Sequence, residues 1–207
     1  MTLKFFFGPK TCALASRIAL EEAGAAYEAV RLDMAGGQQR TADYLAVNPK
    51  GRVPALATPQ GVLTETPAIL AYIAQAYPQA KLAPSDDAFA FAQIQAFNSY
   101  LCSTVHINHA HKMRGYRWAS EETSYADMKR KVPETMAESF ALIEREMLVG
   151  PWAMGESYTI ADPYLYTMAR WLEGDGVDVA RFPKVADHMR RMQERPAVQR
   201  AIAGDAA

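Results

Sequence analysis

The order of apolar runs predicts a chain in two unlike parts, a small mixed α/β unit followed by an all-helical one. Three observations carry this. Strand-length apolar runs occur only ahead of residue 65. Tyr77–Asp87, YPQAKLAPSDD, is polar and holds Pro78 and Pro84, so it reads as a linker. Beyond Asp87 the strand signals stop and apolar residues recur at helical spacing. The expected divisions are 1–79 for the α/β unit, 80–86 for the linker and 87–207 for the helical unit.

Leu3 to Phe7 has strand length, and Gly8-Pro9 ends it. Cys12 to Ala23 reads as a helix with Gly24 as its left-handed stop. Tyr27 to Leu32 alternates as a second strand. Gly36-Gly37 is a loop, and Thr41 to Val47 is at best a short helix. Asn48-Pro49-Lys50-Gly51 is a breaker cluster. Val53 to Thr58 and Gly61 to Thr64 are short strands joined by Pro59-Gln60-Gly61, a hairpin turn, and Pro54 belongs at a strand start because it has no N–H to give. Thr66 and Pro67 read as the cap and first position of a helix over Ala68–Ala76. This βαβ-ββα order predicts a mixed sheet with helices on its faces. In the second half, Ala88 to Met113 reads as one helix. Glu121 to Leu148 reads as another, kinked or broken at Pro133. Thr159–Asp162 forms a capping box ahead of a helix ending near Gly174, and Phe182–Glu194 and Pro196–Ile202 are shorter helices.

A chain of 207 residues, half of them hydrophobic, can bury about 70% of its extended surface. The formal net charge of −1 argues against a nucleic-acid binder. No apolar run has the length of a membrane span, and MTLKFFFGPK is too short an apolar run for a secretory signal. Cys12 and Cys102 are the two cysteines, so no disulfide framework is expected. A cytoplasmic protein is the expectation.

Two stretches have binding chemistry. Val53 precedes a proline, so its backbone is extended and its N–H and C=O can pair with an extended ligand. Thr66 and the N–H groups after it make an anion site, and Glu65 can hold an amine. Together they describe the end of an α-amino acid. A plain hairpin, a capped helix and a solvated Glu65 account for the same residues. Cys12 opens a helix, where a thiolate is favoured; a small buried apolar residue is the other reading. Thr11 is an alternative hydroxyl donor, and Lys10 either adds positive field or is solvated. Asn98, Cys102, His106 and His109 share a drifting helix face. No Glu or Cys completes a metal set with the histidines, so no metal is expected. Lys112, Arg114, Tyr116, Arg117 and Trp118 read either as a basic, aromatic pocket rim or as a solvated helix end. Tyr164, Tyr166, Met168 and Trp171 read as helix core.

Val53-Pro54, Glu65-Thr66 and Thr159–Asp162, in this order and spacing, resemble the cytosolic glutathione transferases, and the resemblance runs along nearly the whole chain. Gly8-Pro9-Lys10-Thr11-Cys12 is most similar to the first turn of their bacterial beta class. Ala13 replaces a usual serine, the loop Met34–Gln39 lacks a lysine, and Arg52 stands where glutamine is common. The resemblance implies an N-terminal thioredoxin-like domain before the helical one, and glutathione as substrate. Val53 and Pro54 would face the cysteinyl backbone, with Glu65 on the amine and Thr66 on the γ-glutamyl carboxylate. Lys10, Arg52 and Asn98 are further implied contacts. Cys12, Thr11 and His106 are the catalytic candidates; His106 also reads as a satisfied core histidine. The implied activity is conjugation of the glutathione thiolate to a small electrophile by a homodimer. Thiol–disulfide exchange or peroxidase chemistry through Cys12 and a non-catalytic binding role are the alternatives. An isomerase fits less well, because the Ser-Ser-Cys turn of that class reads Lys10-Thr11-Cys12.

Overall fold

Leu3, Phe5 and Phe7 of β1 (Leu3–Phe7) are buried, the alternation of a strand with one face in the core. The computed structural model describes residues 2–84 and 86–206, with only the backbone at Ala206. Ser85, inside the expected linker, lies outside the described residues. β2 (Tyr27–Arg31) runs parallel to β1, β3 (Ala55–Thr58) antiparallel to it, and β4 (Gly61–Thr64) antiparallel to β3, in the order β2-β1-β3-β4. The parallel pair needs a crossover helix, supplied by α1 (Ala13–Glu22). Gly24, at φ 62°, takes the left-handed conformation expected of it. Thr41 caps the short α2 (Ala42–Val47), its hydroxyl accepting from the Tyr44 N–H at 3.4 Å. The last helix after the sheet is α3 (Thr66–Ala76).

Register decides what the sheet can present. Phe6 pairs with Ala55, and Ala55 with Thr64. The C-terminal ends of β1 and β4 and the start of β3 therefore share one edge. The chain leaving β1 toward Cys12, the Val53-Pro54 entry to β3 and the Glu65-Thr66 exit from β4 are gathered there.

Two compact units form, one of residues 1–92 with 192–207 and one of 93–191. The closing helix α9 (Pro196–Ala206), assigned to the helical part on sequence, packs on α1 in the first unit. The physical reason is that Ala13 through Leu20 of α1 are all buried and require cover. Ala197, Val198 and Ala201 are the buried apolar residues of α9. Arg195, just ahead of α9, holds Glu22 with two bonds of 2.5 and 2.9 Å, and Arg200 Nε donates to Glu21 at 2.9 Å. Burial opposes ionisation of Glu21, but hydrogen bonds from Arg200 and Tyr27 prevail and hold its carboxyl below the usual value. The guanidinium of Arg17 lies 4.7 Å over the Phe7 ring, and Gly204 leaves it room, since a Cβ there would collide with it.

In the second unit, α4 (Ala88–Tyr100, entering from the first) and α5 (His106–Arg114) are continuous through a π turn at Leu101–Val105. That turn adds a residue to the helix, so the i, i+4 face expected to join Asn98, Cys102 and His106 is interrupted. α6 (Glu122–Leu142) passes through Pro133 without a break and ends in a π turn over Ile143–Met147. Pro133 is on the exposed side, where solvent can take the carbonyl that its missing N–H leaves. Asn108 of α5 donates to Thr135 O and to Ser139 Oγ of α6. α7 (Ala161–Ala169) and α8 (Pro183–Glu194) complete this part. None of the described helices is long and apolar enough to cross a membrane.

The capping box reaches further than the sequence indicates. Asp162, fully buried, accepts from Thr159 N at 2.6 Å and Ala153 N at 2.7 Å, and lies 3.0 Å from His188 Nε2. One carboxylate thus holds the start of α7, the loop before it and α8. Asp162→Ala would leave several buried donors without an acceptor, and is expected to cost about 3–5 kcal/mol in urea unfolding. Asp162→Asn should cost less; equal losses would show that volume, not hydrogen bonding, matters there.

Candidate functional site

At the shared sheet edge, the Val53-Pro54 peptide is cis and Pro54 is buried. Cys12, only 8% exposed, occupies the cap position of α1, and its thiol donates to the Val53 carbonyl at an Sγ···O distance of 3.6 Å. This corrects the expectation that both backbone groups of Val53 are open. The carbonyl already has one donor, although its second lone pair remains. Among the described residues none takes the Val53 N–H.

The first turn differs from its sequence reading in one respect. Thr11 donates its hydroxyl to Gly8 O at 2.7 Å and accepts from Ala13 N at 3.3 Å. It closes the turn, so a second role as donor to a ligand would break this bond. Lys10 adopts a left-handed φ of 59°, which aims its N–H at Asp205 Oδ2, 2.9 Å away, and leaves its side chain exposed. Asp205, on α9, is a residue that sequence reasoning missed. At 195 residues' separation no local signal could find it.

At the start of α3 the cap position belongs to Glu65, not to Thr66 as expected, because the Glu65 carbonyl accepts the first helical bond from Ile69 N at 3.0 Å. Glu65 has φ 71° and ψ 124°, outside the regions ordinary side chains favour, and its side chain makes no capping bond. Among the described residues the N–H groups of Thr66 and Ala68 thus have no helical partner and no side-chain cap, while Pro67 has none to offer. Thr66 is buried. Instead of capping, Glu65 pairs with Lys50, whose Nζ is 2.5 Å from Oε1 and also donates to Thr64 Oγ1 at 2.7 Å. Lys50 was not singled out in the sequence. The one available signal was the hairpin, which brings the chain before β3 beside the chain after β4.

The approach to Val53 is held from behind. The Arg52 carbonyl accepts from Tyr44 Oη at 2.6 Å and Asn48 Nδ2 at 2.7 Å, with the Arg52 side chain exposed. Burial pushes the Tyr44 hydroxyl up to about 12, a rise that its bonding with Asn48 partly opposes.

The second unit holds Asn98 and His106. Asn98 is fully buried, and neither of its amide atoms bonds a protein group among the described residues. His106 lies 5.1 Å from the Trp171 ring, tilted by 58°. His109 stacks on the same indole at 4.0 Å, and its Nδ1 is 2.7 Å from the buried carboxylate of Asp175. Lys112 binds that carboxylate at 3.3 Å and the Gly174 carbonyl, so it is not a free cation of a pocket rim. Tyr116, Arg117 and Trp118 are exposed, whereas Tyr164, Tyr166 and Met168 are core, as read; Trp171, read as core with them, lies past the end of α7 and is only partly buried. Among the described residues no group of three or more His, Cys, Asp or Glu is placed to hold a metal.

A sheet of order β2-β1-β3-β4 with a cis proline entering β3 and a cysteine opening α1 defines a thioredoxin-like domain, joined in sequence to a helical one. Residues 1–75 match the glutathione S-transferase N-terminal domain, and 106–196 match the glutathione S-transferase C-terminal domain. The chain belongs to the glutathione S-transferase family. It is 32% identical over 206 residues to the glutathione S-transferase GstA of Escherichia coli O157:H7, covering 98% of each chain. A glutathione transferase homologue from Sulfitobacter, solved with bound glutathione, shares 46% identity over 98% of both chains with a TM-score of 0.95. A bacterial beta class enzyme of Sphingomonas chungbukensis shares 33% identity over 98% of both chains with a TM-score of 0.85.

Tyr44→Phe deletes one bond to the Arg52 carbonyl and should lower stability by about 1 kcal/mol at pH 7. The raised hydroxyl adds stability that is full below pH 10 and lost as pH rises through about 12. Melting temperatures across pH 9–12 should therefore fall less steeply in the variant; parallel curves would contradict the assignment.

Proposed function

We propose that this protein binds glutathione along the sheet edge and transfers its thiolate to a small electrophile. The observation that carries the reading is the pair of uncapped N–H groups, Thr66 and Ala68, beside an ionisable Glu65 and within the same sheet edge as Cys12. A carboxylate is favoured at a helix N-terminus, and an amine at Glu65. The γ-glutamyl end of glutathione has both groups on one carbon. Its cysteinyl backbone then pairs with the Val53 N–H beside Pro54, and its sulfur approaches Cys12. The glutathione in the Sulfitobacter homologue supports the same ligand here.

Chemically, the thiol must lose its proton, which passes to water, since the thiolate is the nucleophile. The sulfur then attacks the electrophilic carbon, an S–C bond forms, and the leaving group departs with its electron pair. Cys12 stabilises the anion by turning its S–H from the Val53 carbonyl to the bound sulfur. Arg52 and Lys10, both exposed, would serve as cations for the carboxylates of the tripeptide. Asn98 as a binding residue and His106 as a catalytic one are carried over from the resemblance alone. Thr11 supports the turn in preference to touching the ligand. No metal is needed for this chemistry. The protein is taken to work in the cytoplasm as a homodimer, which sedimentation tests.

Calorimetric titration with glutathione tests the reading. Glu65→Gln removes a charged partner and should weaken binding by about 1–3 kcal/mol, roughly 5- to 150-fold. Equal affinity in the two proteins would contradict the amine assignment.

A further inference from the structure

Glu65 is already engaged by a primary amine, that of Lys50. We propose that Lys50 is a built-in competitor whose ammonium occupies the amine position of the site and hands it over to the α-amino group of the ligand. The inference rests on the glutathione reading of this site and adds a displacement step to it.

The chemistry of the two occupants is the same, an ammonium on a carboxylate at hydrogen-bond distance. The geometry allows exchange without moving the backbone. Lys50 and Glu65 side chains are 42% and 52% exposed, so either can part from the other into water. Glu65 stems from a backbone at φ 71° that opens α3, whereas Lys50 has a flexible four-carbon stem. Lysine is therefore the partner that yields. Thr64 Oγ1, 2.7 Å from Nζ, is a second acceptor that retains the released ammonium nearby.

The exchange has a charge consequence. A ligand with a free amine breaks one exposed ammonium–carboxylate pair and makes one that the bound ligand itself shields from water, so the exchange is favourable but reduced by the pair it breaks. A ligand whose amine is acylated has nothing to offer Glu65 and leaves the Lys50 pair intact. Exposed pairs of this kind are weak, so Lys50 takes a small toll on the free-amine ligand and none on a blocked one.

Titration calorimetry of the full chain with glutathione and with N-acetylglutathione, at low and high salt, tests this in wild type, Lys50→Met and Lys50→Gln. Both variants should bind glutathione about two- to fivefold tighter, bind N-acetylglutathione as the wild type does, and show a steeper loss of glutathione affinity with salt. Unchanged or weaker glutathione binding in both variants, or an equal change for the two ligands, overturns the handover while wild-type glutathione binding stands. Wild-type protein that binds no glutathione overturns the reading of the site, and the handover with it.

Discussion

Strand register is the constraint on which the rest depends. Pairing of Phe6 with Ala55 and of Ala55 with Thr64 aligns two strand ends with one strand start. Three segments far apart in sequence thereby reach one place, each ending in a different chemistry. Cys12 contributes a thiol, Val53 a backbone N–H, and Glu65-Thr66 a carboxylate beside open amides. A shift of one residue in this pairing would turn the apolar residues of the strands out of the core, so the core and the site are specified by the same hydrogen bonds.

The molecule holds its framework and its site with different strengths. Asp162 is buried and fully engaged, and α9 is clamped on α1 by Arg200 on Glu21 and by Arg195, the residue before it, on Glu22. At the sheet edge the contacts are of an exchangeable kind. Lys50 and Glu65 form an exposed pair, of a type worth less than about 1 kcal/mol, and the Cys12 thiol bond to Val53 O is long and weak. A ligand can replace both without disturbing the core. The turn that presents Cys12 is itself secured by Asp205, which takes the Lys10 N–H.

Local chemistry made most elements legible. Gly24 stopping α1, the Pro59-Gln60-Gly61 turn and the Thr159–Asp162 box act within a few residues, and so are written in short stretches of sequence. The proline pair and Glu65-Thr66 were legible as motifs for the same reason. What escaped was set by tertiary placement. The partners of Lys50, Lys10, His109 and Lys112 are 15, 195, 66 and 63 residues away. The cap of α3 moved from Thr66 to Glu65 because the backbone there takes a positive φ that composition does not announce. The π turn at Leu101–Val105 was hidden because an extra residue in a helix changes no residue type. The final helix went to the other unit because the demand for cover came from α1, nearly two hundred residues earlier.

The central claim is that the amides of Val53, Thr66 and Ala68 are the backbone donors that receive the tripeptide. Amide chemical shifts followed by two-dimensional NMR during a glutathione titration test it most directly. The account predicts that these three resonances move together, with one dissociation constant, while amides of β2 stay in place. Saturable binding that leaves all three unmoved would contradict it.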